Sequence, residues 1–127
     1  MIETQFNENI VSLKMSGSVT DEDWDQVVLA FEDNLGARFG LRLRDQSGAN
    51  LLVLMDFIAL EEWVPGAKAA CTAFCKGYED MVQRIAVVGT DQWKDEYVRL
   101  TDVYKGAQVR FFRPSEMDTA KAWLRGH

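Results

Sequence analysis

The chain has 127 residues, enough for one hydrophobic core, and we expect a single domain over residues 1–127. Hydrophobic residues make up 47% and charged residues 27%, as in an ordinary globular protein, and the net charge is -6. An acidic chain repels the phosphates of nucleic acids and anionic lipids, so nucleic acid is not an expected partner. Residues 1–5 do not resemble a signal peptide, and no apolar run approaches the roughly 20 residues that span a bilayer. We therefore expect a cytoplasmic protein without stable membrane insertion.

The first segment of the chain predicts a β-hairpin. Residues 2–6 and 10–15 have strand-like sequences, and the turn-forming group Asn7-Glu8-Asn9 separates them. Apolar and polar residues alternate in the second strand, so one of its faces should be less deeply covered than the other. Gly17 is expected to end this strand.

A helix is predicted to follow the hairpin. Thr20 and Asp23 have the spacing of a reciprocal helix cap, and the acidic first turn suits the positive end of the helix dipole. Apolar residues then recur at spacings of three and four, namely Trp24, Val27, Val28, Phe31 and Leu35. Gly36 would end this helix, although the pattern also allows it to continue to Arg44.

Two short apolar runs predict strands that are buried on both faces. Residues 51–56 and 84–88 are each followed by a helical pattern, which is typical of a parallel sheet covered by helices. Residues 109–112 form the last predicted strand, and Ser115 caps a final helix. The fold class that we expect is therefore α/β.

The segment between residues 60 and 80 is predicted to be the least stable helix. Pro65 and Gly66 weaken its start, because proline lacks a backbone donor and glycine has a low helix propensity. Its small side chains are Ala67, Ala69, Ala70, Cys71 and Ala73. Since they bury little area, this helix is also the expected lid over any pocket.

The histidine and cysteine patterns argue against metal sites and nucleophilic catalysis. The single histidine is His127, at the last position of the sequence, where we expect neither a catalytic triad nor a metal site. Cys71 and Cys75 stand one helical turn apart, which is not a zinc pattern, and a disulfide between them would strain a helix. We expect two buried, inert, reduced thiols, and neither a metal, a cofactor nor a catalytic residue.

Six residues near predicted strand ends are candidates for ligand binding. They are Asp56, Phe57, Trp63, Cys71, Gly89 and Trp93. Asp56 lies at the carboxyl end of the central strand, where α/β domains often place functional groups, although a loop or capping role is the alternative. If the connections after Met15 and Val88 diverge to opposite sides of the sheet, a crevice would open near Gly17 and Gly89. Trp63, Phe57, Cys71 and Trp93 could wall an adjoining pocket.

Together these segments resemble the SpoIIAA-like family, a branch of the STAS superfamily with similarity to CRAL-TRIO lipid-binding domains. The matching features are Gly17, residues 20–23, the strand 51–56, the run 84–89 followed by Trp93, the strand 109–112, and Ala120 with Trp123 and Leu124. The resemblance covers nearly the whole chain. It implies an N-terminal hairpin that leads into a mixed, mostly parallel sheet of about five strands with four main helices.

Anti-sigma-factor antagonists of the wider superfamily carry a phosphorylatable serine after the central strand, at the start of the next helix. The corresponding stretch here, residues 56–63, contains neither serine nor threonine. The phosphorylation switch is therefore not carried over, and the resemblance supplies no catalytic residues.

The sequence favours two functions. An enzyme ranks third, because acid–base chemistry would depend on carboxylates, lysine or tyrosine alone. The first is a non-catalytic binding domain for a small apolar ligand, such as a lipid. The alternative is a protein-interaction or regulatory module without the phosphoserine. An enclosed apolar cavity of about 300 Å³ or more would favour the first, and a filled core with an exposed apolar patch would favour the second. Exposed aromatic faces would suit a homodimer.

Overall fold

The computed structural model describes residues 1–7, 9–34, 51–78, 81–104 and 106–126. Five strands and four α-helices lie in these ranges. In chain order they are β1 (Ile2–Asn7), β2 (Ile10–Val19), α1 (Asp21–Asn34), β3 (Leu51–Trp63), α2 (Pro65–Tyr78), β4 (Val82–Val88), α3 (Lys94–Val103), β5 (Gln108–Phe112) and α4 (Met117–Leu124). Short 3-10 turns at Asp91–Trp93 and Pro114–Glu116 lead into α3 and α4.

The strands form one mixed sheet in the order β1-β2-β3-β4-β5. β1 pairs antiparallel with β2, and every other neighbouring pair is parallel. The predicted α/β fold, with its N-terminal hairpin and mostly parallel sheet, is confirmed.

The helices cover the two faces of the sheet unequally. α1, α2 and α3 contribute Trp24, Phe74 and Leu100 to the larger core on one face. On the other face, Ala120 and Leu124 of α4 pack with apolar side chains of β3, β4 and β5. The first three helices share a face because right-handed crossovers between successive neighbouring strands all step in the same direction.

This strand order corrects the expected crevice. The strands lie side by side in chain order, and this order does not reverse anywhere in the sheet. The connections after β2 and β4 therefore lie on the same face and do not diverge. Gly17 and Gly89 therefore do not flank a crevice of the kind that forms where strand order reverses.

Two strands continue well past their predicted carboxyl ends. β2 continues through Gly17 to Val19, and β3 continues past Asp56 to Trp63, where a helix was expected from residue 60. The extensions pair with each other, with irregularities on either side of Gly17, which has a φ of 61°. Glycine adopts this left-handed conformation without steric cost, so the bulged ladder continues where an ordinary strand would stop.

The start of α1 is the predicted cap. The backbone N–H of Asp23 donates to Thr20 Oγ1 at 3.3 Å, and the backbone N–H of Thr20 donates to Asp23 Oδ2 at 2.9 Å. The predicted continuation of this helix toward Gly36 or Arg44, and His127, lie outside the described residues. None of the helices in the described ranges has the length and apolarity to cross a membrane.

Candidate functional site

A groove separates α4 from the part of the sheet formed by β1, β2 and β3, and we call it the α4 groove. It consists of two cavities of about 410 and 260 Å³, which share Gln5, Ser12, Leu54 and Lys121. The larger is also lined by Phe6, Asn7, Ile10, Leu124 and Arg125, and the smaller by Glu3, Lys14, Asp56 and Met117. Both cavities open to solvent, and their walls combine polar with apolar atoms.

The alternation of β2 places polar side chains on the floor of the groove. Val11, Leu13 and Met15 are fully buried in the larger core, so the residues between them face the opposite way. Ser12 and Lys14 consequently line the cavities. The less covered face predicted for this strand is the floor of the α4 groove.

Charges of alternating sign cross three strands at the smaller cavity. Glu3 pairs with Lys14 in the β1–β2 register, and Lys14 pairs with Asp56 in the β2–β3 register. Asp56 Oδ1 also accepts a hydrogen bond from the backbone N–H of Ile58 at 2.9 Å, where β3 leaves regular pairing with β2. Asp56 therefore has the capping role that was the alternative interpretation of this residue, and its side chain also lines the α4 groove.

The larger cavity is the cationic end of the groove. Lys121 and Arg125 are exposed, stand four residues apart at the end of α4, and line the same cavity as the amide side chains of Gln5 and Asn7. The whole chain carries a net charge of -6, so this end has the opposite sign to the molecule. An anionic group is the ligand that such an end attracts.

The predicted aromatic wall lies on the opposite face and is packed. The ring centroid of Phe57 is 5.6 Å from that of Trp63 and 6.0 Å from that of Trp93. A Cβ atom on Gly89 would lie 3.2 Å from Phe57 Cβ, so a larger residue after β4 would require Phe57 to shift by a few tenths of an ångström. These four predicted residues are brought together: the Phe57 ring packs against those of Trp63 and Trp93, and Gly89 lies beside Phe57.

The other two predicted residues lie apart from that aromatic cluster. Cys71 is buried in the same core, on α2, and Asp56 is on the groove face of β3. The prediction missed the groove residues Gln5, Ser12, Lys121 and Arg125. Two signals could have found them: the alternation of β2, and two cations one helical turn apart in the last helix.

Two buried tryptophans carry indole N–H groups without an acceptor. Trp24 Nε1 and Trp63 Nε1 have no hydrogen-bond partner among the described residues, and their ring centroids are 6.1 Å apart. Trp24 is 1% exposed and Trp63 is 8% exposed. Buried donors nearly always find a partner, so an acceptor other than the described residues, such as a water molecule or a ligand, would satisfy this pair of N–H groups.

A thiol pair lies where α2 meets α3. Cys71 Sγ and Cys75 Sγ are 3.8 Å apart, and both cysteines are reduced and buried, as predicted. Arg99 of α3 donates to Thr72 Oγ1 on α2 and to Glu96 Oε2, at 2.9 Å from Nε and 2.6 Å from Nη2. The contact with Cys75, reinforced by burial, raises the pKa of the Cys71 thiol well above its usual value, so Cys71 carries its proton in the metal-free protein.

The described residues do not assemble a conventional metal-ligand set. No three His, Cys, Asp or Glu side chains in those ranges come close enough together to hold a metal ion. The α4 groove can make hydrogen bonds, ion pairs and some apolar contacts, which are the interactions by which a protein binds a ligand or a partner.

A family model described as SpoIIAA-like matches residues 10–125. A search of curated proteins gives no match. Among solved structures, the chain is similar to an uncharacterized protein of the DUF3478 family with a SpoIIAA-like fold from Shewanella loihica PV-4. The two are 17% identical with a TM-score of 0.72, over 98% of this chain and 92% of the other. At that identity the likeness establishes the fold.

Proposed function

Since this chain belongs to the SpoIIAA-like family, we propose that it is a non-catalytic regulatory module that holds an acidic peptide segment of a partner protein in the α4 groove. The observation that carries the proposal is the pair of exposed cations, Lys121 and Arg125, at the wide end of an open groove in an acidic chain. The family and the fold support an interaction role in general, and the groove supplies the surface.

The character of the groove favours a peptide over a small apolar molecule. Ligand pockets that hold small apolar molecules are concave and mostly apolar, whereas both cavities here are open and partly polar. Gln5, Asn7 and Ser12 can hydrogen-bond to a peptide backbone, and Leu54 and Leu124 can contact apolar side chains. An acidic side chain of the peptide would then pair with the cations.

Phosphorylation at the superfamily's serine position is not part of this proposal. Residues 57–63 continue β3 as a strand instead of beginning a helix, and they contain neither serine nor threonine. Regulation by this module would depend on what binds its groove.

The first prediction tests the groove with defined peptides. Adding hexaglutamate to isotope-labelled protein should shift the backbone amide signals of Gln5, Ser12 and Lys121, and added salt should weaken the shifts because it screens the charges. Hexalysine should leave these signals in place. Shifts confined to the α1–α3 face would contradict the proposal.

Matched charge reversals separate the groove from the total charge of the protein. The variant K121E/R125E should lose the hexaglutamate shifts. The control K76E/K94E changes the net charge equally but alters exposed cations of α2 and α3, on the other face, and should keep them. Equal loss in both variants would show that bulk charge, and not the groove, attracts the peptide.

A second candidate function rests on the unpartnered indoles. We propose, as the alternative, that an apolar ligand with an acceptor head group enters between α1 and the end of β3 and accepts hydrogen bonds from Trp24 and Trp63. The predicted binding residues Phe57 and Trp93 follow Trp63 in a chain of ring contacts, so the sequence prediction and the unpartnered indoles point to the same region. The similarity to CRAL-TRIO domains and lipid binding itself stay predictions.

The second prediction tests this ligand by its head group. Palmitate should move the indole N–H signals of Trp24 and Trp63 to lower field, whereas hexadecane, which has no acceptor, should not. Native mass spectrometry of freshly purified protein should show retained mass that organic extraction removes. A ligand-free protein with indole signals that palmitate does not change would reject this candidate and leave the groove proposal untouched.

A further inference from the structure

We propose that Cys71 and Cys75 form a two-coordinate binding site for a soft monovalent metal ion, with copper(I) as the biological ion of that class. The two Sγ atoms are 3.8 Å apart and project from successive turns of α2. A metal–thiolate bond is about 2.3 Å long for a first-row ion such as zinc, so two such bonds in line span about 4.6 Å. A movement of the sulfur atoms by less than an ångström, or a bent sulfur–metal–sulfur angle, therefore lets both sulfurs bind one ion.

The number of ligands selects the kind of metal. Structural zinc requires four ligands, and no third His, Cys, Asp or Glu side chain joins this pair within the described ranges. Soft thiolates favour copper(I) over hard cations such as magnesium or calcium. The pair is also buried, with Cys71 1% and Cys75 0% exposed, which excludes the water that would complete a hard ion's coordination.

Binding is a proton-for-metal exchange with no change of oxidation state. Two thiols release two protons to solvent, one copper(I) ion forms two copper–sulfur bonds, and the complex carries one negative charge. A buried charge needs a partner of the opposite sign. Arg99 of α3 interacts with Cys71, and its hydrogen bonds to Glu96 and Thr72 hold it there.

Entry to the site requires α2 and α3 to separate briefly, because both sulfurs are buried. The ion should therefore exchange slowly once it is bound. Only these two cysteines exist in the 127 residues, so thiolate binding of copper(I) by the chain can be assigned to them.

The third prediction is a stoichiometry and an affinity. Reduced protein titrated anaerobically with copper(I) against a chromophoric chelator should bind one ion per chain, and X-ray absorption should show two sulfur neighbours. Either C71A or C75A should weaken binding by at least about 100-fold, because a single thiolate remains. F74L, which alters another buried residue of α2, should keep the affinity and controls for lost stability.

A charge variant tests the role of Arg99 independently of the ligands. E96Q removes the carboxylate that competes for Arg99, so the guanidinium should compensate the copper complex better and tighten binding by about 10-fold. Affinity in C71A or C75A equal to that of the natural chain would overturn the proposal, as would three or more light-atom neighbours in the absorption spectrum. Unchanged or weaker binding by E96Q would overturn the part assigned to Arg99.

Discussion

Asp23 accepts hydrogen bonds from the backbone N–H and the hydroxyl of Thr20, and its Oδ2 lies 3.4 Å from the ammonium of Met1. Partial burial opposes ionisation of this carboxyl. The Thr20 hydrogen bonds and the nearby ammonium outweigh that effect, and they lower the pKa of Asp23 below its ordinary value of 3.8. The folded state therefore prefers the charged carboxylate more than the unfolded chain does.

The fourth prediction follows from that preference. A depressed carboxyl pKa contributes stability that is complete above the unfolded pKa and is lost as the pH falls through the folded pKa. D23N should lower the free energy of unfolding by about 1 kcal/mol near pH 7, the usual value of a helix cap. Near pH 2 the two proteins should differ much less.

Denaturant unfolding at several pH values measures this difference. D25N, an exposed neighbour in the same helical turn, is the control and should show little effect at either pH. A deficit for D23N that is the same at all pH values would indicate lost hydrogen-bond geometry and not lost charge.

For single residues, prediction from sequence succeeded where the interacting residues are close together in the sequence. The Thr20–Asp23 cap is set by residues three apart, and it was predicted correctly. Lys121 and Gln5 lie at opposite ends of the chain, and only the fold brings them to one cavity. No local pattern contains that juxtaposition.

Most of the side chains that α2 buries are small. Ala67, Cys71 and Cys75 face the core from this helix with one large residue, Phe74, whereas α1 buries Trp24 and Phe31. Fully burying a Leu- or Phe-sized side chain contributes roughly 1.5–3 kcal/mol, and an alanine contributes far less. The helix nevertheless packs against α1.

The fifth prediction is that α2 opens more readily than α1. Backbone amides of residues 67–73 should exchange with deuterium faster than those of residues 25–32, because local opening exposes less apolar area there. Hydrogen exchange followed by NMR measures each amide separately. Equal protection in the two helices would show that tight backbone packing offsets the small side chains, and the predicted lid would be rejected.

The length of β3 shows why element boundaries were harder to predict. The run at residues 51–56 is continuously apolar, and it was identified as a strand. Residues 57–63 contain Glu61 and Glu62 and have no clean alternation, so a helix was expected near them. Pairing with the extension of β2 beyond Gly17 decides this segment, and that pairing is a tertiary interaction.

For the whole molecule, the apolar runs and helical spacings were sufficient to predict an α/β sheet with a hairpin. They do not determine the order of the strands, because successive strands can be added at one edge of the sheet or at both edges. The observed order is sequential, and it removes the expected crevice and gathers three helices on one face. The α4 groove results from this asymmetry, since a single described helix covers the second face incompletely. The homodimer stays a prediction.

The sequential strand order also determines how the chain can fold while it is being synthesised. Each strand pairs with the one made just before it, so the sheet can grow from β1 to β5 as residues leave the ribosome. The helix α4 emerges last, and until it docks, Leu52, Leu54, Ala86 and Val88 on its face of the sheet lack their cover. A nascent chain stalled before residue 117 would therefore present an apolar surface to chaperones, and the final helix closes that period of exposure.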